Sequence, residues 1–363
     1  MTTLPEGPSR GRIETLRGLA ADHEAGAILV TYPPDLRWAL GFTGSNGLLV
    51  VTEREASFVT DGRYTEQARV EVTDASVSIA SGSLAEHVAT NGLLSSAGGA
   101  VVASDHLTVA SLHALEEALD GVDVRPVQAL LSEAVARKRE AEIEGVRRAQ
   151  ALTSEVFDAI LPLIRPGATE QEVAARIVYE HLRRGASAMS FEPIVASGAR
   201  GALPHARPSD KEIKAGDLVV VDMGGVLDGL CSDMTRTVAV GDPSDEAREA
   251  YGVVLEAQLA AVEAARAGMT GRELDAVARD RIGAGGLGPA FSHSLGHGVG
   301  YEVHEWPRLS QHVEHVLPAG ATVTIEPGVY LAGRFGIRIE DVIVLREDGA
   351  DNLTTTPKAL RVL

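Results

Sequence analysis

Residues 217–240 read DLVVVDMGGVLDGLCSDMTRTVAV, which is two apolar segments on either side of a Val-Leu-Asp-Gly turn. This pattern predicts a β-hairpin. A turn centred between Leu227 and Asp228 would place Asp222 directly opposite Asp233, with β-carbons about 5 Å apart. Two aspartates exposed to water are the simpler alternative, but Asp222 follows four apolar residues that are typical of a buried strand. We therefore expect a cation between the carboxylates, either one shared metal ion or two ions about 3.5–4 Å apart.

The hairpin lies between two copies of a helical pattern. Residues 166–175 read PGATEQEVAA, and residues 267–276, 101 positions later, read AGMTGRELDA. Each copy follows a long amphipathic helical pattern, precedes a hairpin pattern and contains a capping box. The capping pairs are Thr169 with Glu172 and Thr270 with Glu273. We interpret the two copies as a duplicated unit with internal pseudo-symmetry, although so short a motif also recurs by coincidence.

The N-terminal part of the chain has a different pattern. Between residues 24 and 130, short segments rich in Val, Leu, Ile and Ala alternate with helical segments, which predicts a small α/β domain with a largely parallel sheet. The predicted strands are 27–31, 48–52, 57–60 and 100–103, and the predicted helices include 83–90 and 109–119. We place a domain boundary near residue 135. The whole chain is thus predicted to be an α+β protein with domains at 1–135 and 136–363.

Composition excludes several classes of protein. The chain has a formal net charge of −18, which disfavours nucleic acid and anionic membranes as partners. Apolar segments are too short to cross a bilayer, and Met1–Arg12 lacks the apolar stretch of a signal peptide. Cys231 is the single cysteine, so no intrachain disulfide can form. These features predict a cytoplasmic protein.

Further candidate ligands follow the hairpin. His293 and His297 lie in a Gly-rich stretch that lets the backbone approach an ion closely, and His304 follows seven residues later. Glu326 ends an apolar strand pattern. Arg338 and Glu340 alternate with apolar residues, and an arginine there could hold a buried carboxylate in its ionised form. The candidate metal ligands are Asp222, Asp233, His297, Glu326 and Glu340. So oxygen-rich a set suits a bridged pair of manganese, cobalt or zinc ions.

Together these motifs resemble the methionine aminopeptidase/prolidase/creatinase superfamily. The resemblance rests on the spacing of Asp222 and Asp233 and on the motifs SHSLGHGVG at 292–300, IEPG at 325–328 and RIED at 338–341. The stretches WALGFTGSNG at 38–47 and TDGRYTEQA at 60–68 resemble the N-terminal domain of Xaa-Pro peptidases. The resemblance implies a pseudo-symmetric "pita-bread" catalytic domain behind a creatinase-type N-terminal domain. That domain would support a homodimer or homotetramer and close the substrate site.

The resemblance also implies roles for individual residues. Asp222 would chelate one of two divalent ions, with manganese preferred, Asp233 and Glu340 would bridge them, and His297 and Glu326 would complete the two ligand sets. A hydroxide held between the ions would attack the scissile carbonyl, and Glu326 would accept its proton. The residues expected to contact the substrate are His205, His293 and His304. Arg338 would support the carboxylates.

Four functions are compatible with these motifs. We expect an Xaa-Pro aminopeptidase that removes an N-terminal residue before proline. An Xaa-Pro dipeptidase (prolidase) restricted to dipeptides would use the same chemistry, because the two differ only in what blocks the far end of the site. A metal-free hydrolase of the creatinase type and an inactive binding module of the same fold are disfavoured, since all five candidate ligands are present.

Overall fold

The computed structural model of the protein describes residues 11–363. The segment used to exclude a signal peptide was 1–12, and its residues 1–10 therefore lie outside the described residues. The described chain divides into two compact units, with the division between Val135 and Ala136. Among the described residues, no helix is both long and apolar enough to cross a membrane.

The N-terminal unit contains a mixed sheet with helices between its strands. Its strands are β1 (Ala27–Val30), β2 (Leu48–Thr52), β3 (Ala56–Asp61), β4 (Ser76–Ala80), β5 (Ala100–Ala103) and β6 (Val124–Val127). Its helices are α1 (Arg12–Asp22), α2 (Pro33–Leu40), α3 (Thr65–Glu71), α4 (Leu84–Thr90) and α5 (Val109–Ala118), and α6 (Ser132–Ala136) lies at the division. The strand order is β4-β3-β2-β1-β5-β6. Three neighbouring pairs are parallel, β3 with β4, β1 with β5 and β5 with β6, as a largely parallel sheet requires.

The first half of the C-terminal unit consists of two helices followed by strands. These are α7 (Glu140–Ile160), α8 (Glu170–Arg183), β7 (Ala188–Met189), β8 (Ile194–Ser197), β9 (Leu218–Met223), β10 (Gly225–Leu227), β11 (Leu230–Cys231) and β12 (Met234–Ala239). The second half repeats this order. Its elements are α9 (Asp245–Ala264), α10 (Gly271–Ala284), β13 (Gly296–Gly298), β14 (Glu305–Leu309), β15 (Thr322–Ile325), β16 (Gly328–Leu331), β17 (Phe335–Arg338), β18 (Asp341–Arg346), β19 (Gly349–Asn352) and β20 (Arg361–Val362).

The predicted internal repeat is visible in local detail. Helices α8 and α10 both begin with a complete capping box, at Thr169 and Thr270. Each capping threonine also forms an isolated β-bridge to a later segment, Thr169 to Glu212 and Thr270 to Val316. Each half packs its helix pair on its own strands. Val156, Val173 and Val221 belong to one core cluster, and Val254, Leu274 and Val323 belong to the other.

The hairpin that motivated the metal prediction has a different register from the one predicted. The structure pairs Asp222 with Thr235, so Asp222 does not lie opposite Asp233. Asp228 and Gly229, with φ of 49° and 79°, are the two central residues of the turn. This is the geometry of a tight Asp-Gly turn, so the hairpin is centred one residue later than predicted. Asp233 immediately precedes β12, two residues from Thr235, and therefore still lies on the side of the hairpin that carries Asp222.

The hairpin backbone makes a close approach at Gly224, between β9 and β10. A β-carbon there would lie 2.0 Å from the carbonyl oxygen of Ser232. We expect Gly224→Ala to lower the free energy of unfolding by about 1–3 kcal/mol, because the backbone must move to admit the methyl group. Gly252→Ala is the matched control, since Gly252 lies inside α9 with nothing within 4 Å of the added carbon. It should stabilise by about 0.5–1 kcal/mol. Equal effects in urea denaturation would contradict the assignment.

A buried histidine beside the hairpin links stability to pH. His181 is fully buried, its Nε2 lies 3.1 Å from the Thr153 hydroxyl, and that hydroxyl contacts Ser232. Burial lowers the pKa of His181, although a bond to the Ile177 carbonyl opposes the shift. The unfolded chain takes up this proton near pH 6.5, whereas the folded chain does so only at lower pH. The free energy of unfolding should therefore fall as pH drops below about 6.5, by at most about 1.4 kcal/mol per pH unit from this group.

The variant His181→Asn isolates that contribution. It should show a smaller loss of stability than the unmodified chain between pH 6.5 and pH 5, whatever its absolute stability. Denaturation curves at several pH values in that interval provide the measurement. Parallel slopes in the two proteins would mean that His181 is not the responsible group.

Candidate metal centre

The residues singled out from the sequence line one cavity of the C-terminal unit, of about 600 Å³. They are Asp222, Asp233, His297, Glu326, Glu340, Arg338, His205, His293 and His304. Some of these residues come from the first half of the repeat, and the others come from the segments after α10 in the second half. The structure therefore brings together every candidate site residue.

Asp222, at the end of β9, is held by a buried arginine. Its Oδ2 accepts a bond from Arg338 Nη2 at 2.6 Å. Its other oxygen, Oδ1, is buried and has no hydrogen-bond partner among the described residues. Burial raises the pKa of Asp222 even though the Arg338 charge opposes the shift. One oxygen of this carboxylate is thus fixed, and the other faces the cavity without a partner.

Asp233 is positioned through its backbone. The amide of Gln150 on α7 donates to the Asp233 carbonyl at 2.8 Å and accepts from the Asp233 N–H at 3.3 Å. Both bonds use backbone atoms of Asp233, so they position the residue without engaging its carboxylate. Burial, followed by the charges of Glu340 and Asp222, raises the pKa of Asp233 well above its ordinary value.

Glu340 lies between β17 and β18 and is supported by the hairpin of the first half. Its Oε2 accepts from the Thr235 hydroxyl at 2.7 Å, and its N–H donates to the Thr235 carbonyl at 3.1 Å. Burial, together with the charges of Glu326 and Asp222, raises the pKa of Glu340 well above its ordinary value. Among protein groups alone, Asp233 and Glu340 would therefore tend to keep protons.

His297 and Glu326 form a pair on β13 and just after β15. The His297 Nδ1 lies 3.0 Å from the Gly298 carbonyl, which can accept its N–H, and Nε2 faces the carboxylates. His297 Nε2 lies 3.2 Å from Glu326 Oε1 and 3.8 Å from Asp233 Oδ2. Burial alone would raise the pKa of Glu326, but bonding to His297 outweighs it and lowers the pKa to about 2. The Thr324 hydroxyl bonds both to Glu326 Oε1 and to the His297 N–H.

The structure adds residues that sequence reasoning missed. Tyr330 on β16 lies 3.0 Å from His293 Nε2 and accepts from Arg338 Nη1 at 2.8 Å. The sequence did contain a signal for Tyr330, because a hairpin that turns near Gly333 places Tyr330 and Arg338 on one face. Arg308, which lines the cavity, lies opposite His297 in the β13–β14 pair and carried no motif. Arg338 also donates to the Thr235 hydroxyl and to the Pro204 carbonyl beside His205, so it connects several segments around the cavity.

The donor set fits divalent metal ions. Ligand atoms of Asp233, His297 and Glu340 lie within 4.8 Å of one another. Asp222 supplies the unpartnered buried oxygen, and Glu326 contacts His297 in the same cavity. Four carboxylates face one buried guanidinium, so the group needs further positive charge. Oxygen and imidazole ligands without thiolate match manganese, cobalt or zinc rather than a thiolate zinc site.

Comparison with known proteins agrees with this geometry. The model of metallopeptidase family M24 matches residues 144–347, and the model of the creatinase/prolidase N-terminal domain matches residues 12–134. The chain belongs to metallopeptidase family M24. The predicted resemblance, the α+β class with a pita-bread catalytic domain, and the prediction of an enzyme are thereby confirmed.

Relatives of this M24 chain extend over its whole length. It is 40% identical to an uncharacterised peptidase of Bacillus subtilis over 97% of this chain and 100% of the relative. It superposes on an Xaa-Pro dipeptidase from Bacillus anthracis with a TM-score of 0.95 at 39% identity, covering 98% of this chain and 100% of that one. An X-Pro aminopeptidase from Thermotoga maritima gives 0.90 at 36% identity, covering 97% and 100%.

We expect metal ions to stabilise this M24 chain through Asp233. Adding manganese to the metal-free protein should raise the midpoint of thermal unfolding, by about 2.7 kcal/mol of stability at a hundredfold excess over the dissociation constant. Asp233→Asn should lose most of this rise, because one carboxylate of the cluster is gone. Asp228→Asn is the matched control, an exposed aspartate in the same hairpin, and should keep it. Equal rises in both variants would exclude Asp233 as a ligand.

Proposed function

We propose that the chain hydrolyses the peptide bond between an N-terminal residue and a following proline, using two divalent metal ions. Asp222, Asp233, His297, Glu326 and Glu340 would hold the ions. The observation that carries the proposal is the cavity in which four carboxylates converge with a histidine whose Nδ1 lies against a backbone carbonyl. When bound, such ions acidify a water molecule and polarise the scissile carbonyl.

The residues around the ions supply positioning and proton transfer. Glu326 has a lowered pKa, because its bond to His297 outweighs its burial, so it is ionised and can accept a proton at Oε1. Burial lowers the pKa of His293, which favours a neutral ring. Its Nδ1 lies 2.8 Å from the Ser294 carbonyl and its Nε2 lies beside the Tyr330 hydroxyl, so His293 and Tyr330 together line the cavity that would receive the substrate. His205 and His304 face the same cavity. These assignments follow the roles expected from the sequence.

The cavity also supports proline in the second position. Its wall includes Phe191, Ile194, Pro204 and Ala206, an apolar surface suited to a pyrrolidine ring. Proline has no backbone N–H, so a site that accepts it needs no acceptor for that hydrogen. The names of the relatives, an Xaa-Pro dipeptidase and an X-Pro aminopeptidase, lend further support.

The geometry favours dipeptides as the preferred substrates, the alternative to the aminopeptidase that the sequence favoured. Arg308 and Arg207 line the cavity that holds the carboxylate cluster, and the exposed Arg207 lies 3.8 Å from an oxygen of Glu192. In a dipeptide, the free carboxylate follows the proline directly and could pair with an arginine. A longer peptide carries an uncharged amide at that position. The oligomeric state, the closing role of the N-terminal unit and the cytoplasmic location stay predictions.

The test compares three substrates with one N-terminal residue: an Xaa-Pro dipeptide, its C-terminal amide and an Xaa-Pro-Xaa tripeptide. We expect the manganese-loaded protein to cleave the dipeptide with the highest kcat/KM, and Asp233→Ala to abolish cleavage. Arg308→Gln should lower kcat/KM for the dipeptide about tenfold or more, the value of a charged hydrogen bond, and leave the amide unaffected. Released amino acid, followed by chromatography, provides the measurement.

Arg248→Gln is the matched control, an exposed arginine that pairs with Asp242 and does not line the cavity, and it should leave kcat/KM for the dipeptide unchanged. Better cleavage of the tripeptide than of the dipeptide would instead establish the aminopeptidase. Absence of cleavage with manganese, cobalt and zinc alike would overturn the peptidase proposal and favour the binding module.

A further inference from the structure

A buried aspartate on α10 holds the loop that carries His293. Asp275 is fully buried and accepts two bonds from Arg279, at 2.7 Å to Nε and 3.0 Å to Nη2. Its Oδ1 also accepts from the N–H of Leu295 at 3.0 Å. A charge in this position therefore fixes the backbone two residues after His293.

Arg279 completes the attachment from the other side of the same loop. Its Nη1 donates to the Phe291 carbonyl at 3.1 Å, and its Nη2 donates to the His293 carbonyl at 2.8 Å. The guanidinium also lies 4.1 Å from the centre of the Phe291 ring. Every one of these bonds is made to backbone within 291–295, and the His293 side chain stays available to Tyr330 and the cavity.

A buried glutamate on α8 does the same for the loop that carries His205. Glu170 is fully buried and accepts from the N–H of Ser197 at 2.8 Å and from the N–H of Ser209 at 3.1 Å. Its Oε2 accepts from Arg200 Nε at 2.9 Å. Arg200 in turn donates from Nη2 to the Arg207 carbonyl at 2.5 Å. Loop 203–209 is thus attached at Arg207 and Ser209, on the C-terminal side of His205.

The two arrangements share a plan but not a sequence position. Each uses a fully buried carboxylate on the second helix of its half, an arginine that binds it, and backbone bonds from both to a loop with a cavity histidine. Yet Glu170 is the first residue of α8, whereas Asp275 is the fifth of α10, and Arg200 lies outside the helix whereas Arg279 lies within it. The repeat alone therefore does not account for the likeness.

We propose that Asp275 with Arg279, and Glu170 with Arg200, are positioning residues that fix His293 and His205 at the substrate cavity. The proposal rests on the proposed peptidase function, in which both histidines contact the substrate. Neither pair touches the cavity itself, so their effect passes through the loop backbone. An arginine is required in each pair because its fork spans a carboxylate and a carbonyl together, which a lysine cannot do.

The test replaces each arginine by lysine, which keeps the charge and removes the fork. We expect Arg279→Lys and Arg200→Lys each to lower kcat/KM for an Xaa-Pro dipeptide about 10–100-fold, mainly through kcat, with manganese content unchanged. Hydrogen exchange should quicken at least about tenfold in 291–295 for Arg279→Lys and in 203–209 for Arg200→Lys, each in its own loop only. Asp275→Asn, nearly isosteric, provides a second variant if Arg279→Lys does not fold.

Glu180→Gln is the matched control. Glu180 is a buried carboxylate at the other end of α8 that pairs with Arg176, Arg183 and Arg184 and contacts neither loop. It should lower the thermal midpoint and leave kcat/KM and loop exchange unchanged. If the arginine variants match this control in kcat/KM or fail to speed exchange in their own loops, the positioning role is wrong. If the unmodified protein cleaves nothing while the loop-specific exchange changes appear, the peptidase function fails and the attachment of the loops stands.

Discussion

The organisation of the catalytic unit depends on four carboxylates gathered around one buried guanidinium. Asp222, Asp233, Glu326 and Glu340 line one cavity, and Arg338 is the fully engaged cation among them. Two of these acids have pKa values raised well above the ordinary range by burial and by the other carboxylates. Such a cluster reaches charge balance either by taking up protons or by binding cations. The scaffold is arranged so that cations have the better geometry, because backbone and hydroxyl contacts fix the acids before any ion arrives.

That arrangement explains why the fold needs both halves of its repeat. The hairpin of the first half supplies Asp222 and Asp233, and the strands of the second half supply His297, Glu326 and Glu340. Thr235 joins the halves, since its hydroxyl donates to Glu340 and accepts from Arg338. Neither half supplies all five candidate ligands alone. The contribution of each hydroxyl is preorganisation, because a carboxylate already oriented loses little freedom on binding.

Sequence reasoning recovered the parts of this site that depend on residue type and missed those that depend on register. Metal chemistry limits the ligands to a few side chains, so residue type, motif context and the family resemblance sufficed to select the acids and His297 as candidates. The predicted pairing of Asp222 with Asp233 was wrong because Asp228 and Gly229 are both central residues of the turn. The strand partner of Asp222 therefore lies two residues later, at Thr235. Tyr330 and Thr235 act through hydrogen bonds that common polar residues make anywhere. Asp275 and Arg279 are four residues apart on α10, the spacing of an ordinary helical ion pair, and only the folded structure shows their bonds to the loop.

The same electrostatic constraint bears on the choice of substrate. A chain with a net charge of −18 and a cavity rich in carboxylates repels a peptide whose own carboxylate must come close to the reacting bond. In a dipeptide that carboxylate is one residue from the scissile carbonyl, whereas in a longer peptide it lies further out and is screened by water. Bound metal ions would offset part of this repulsion. Arg308, which lies opposite His297 and lines the cavity, is a further cation that would offset it for a dipeptide.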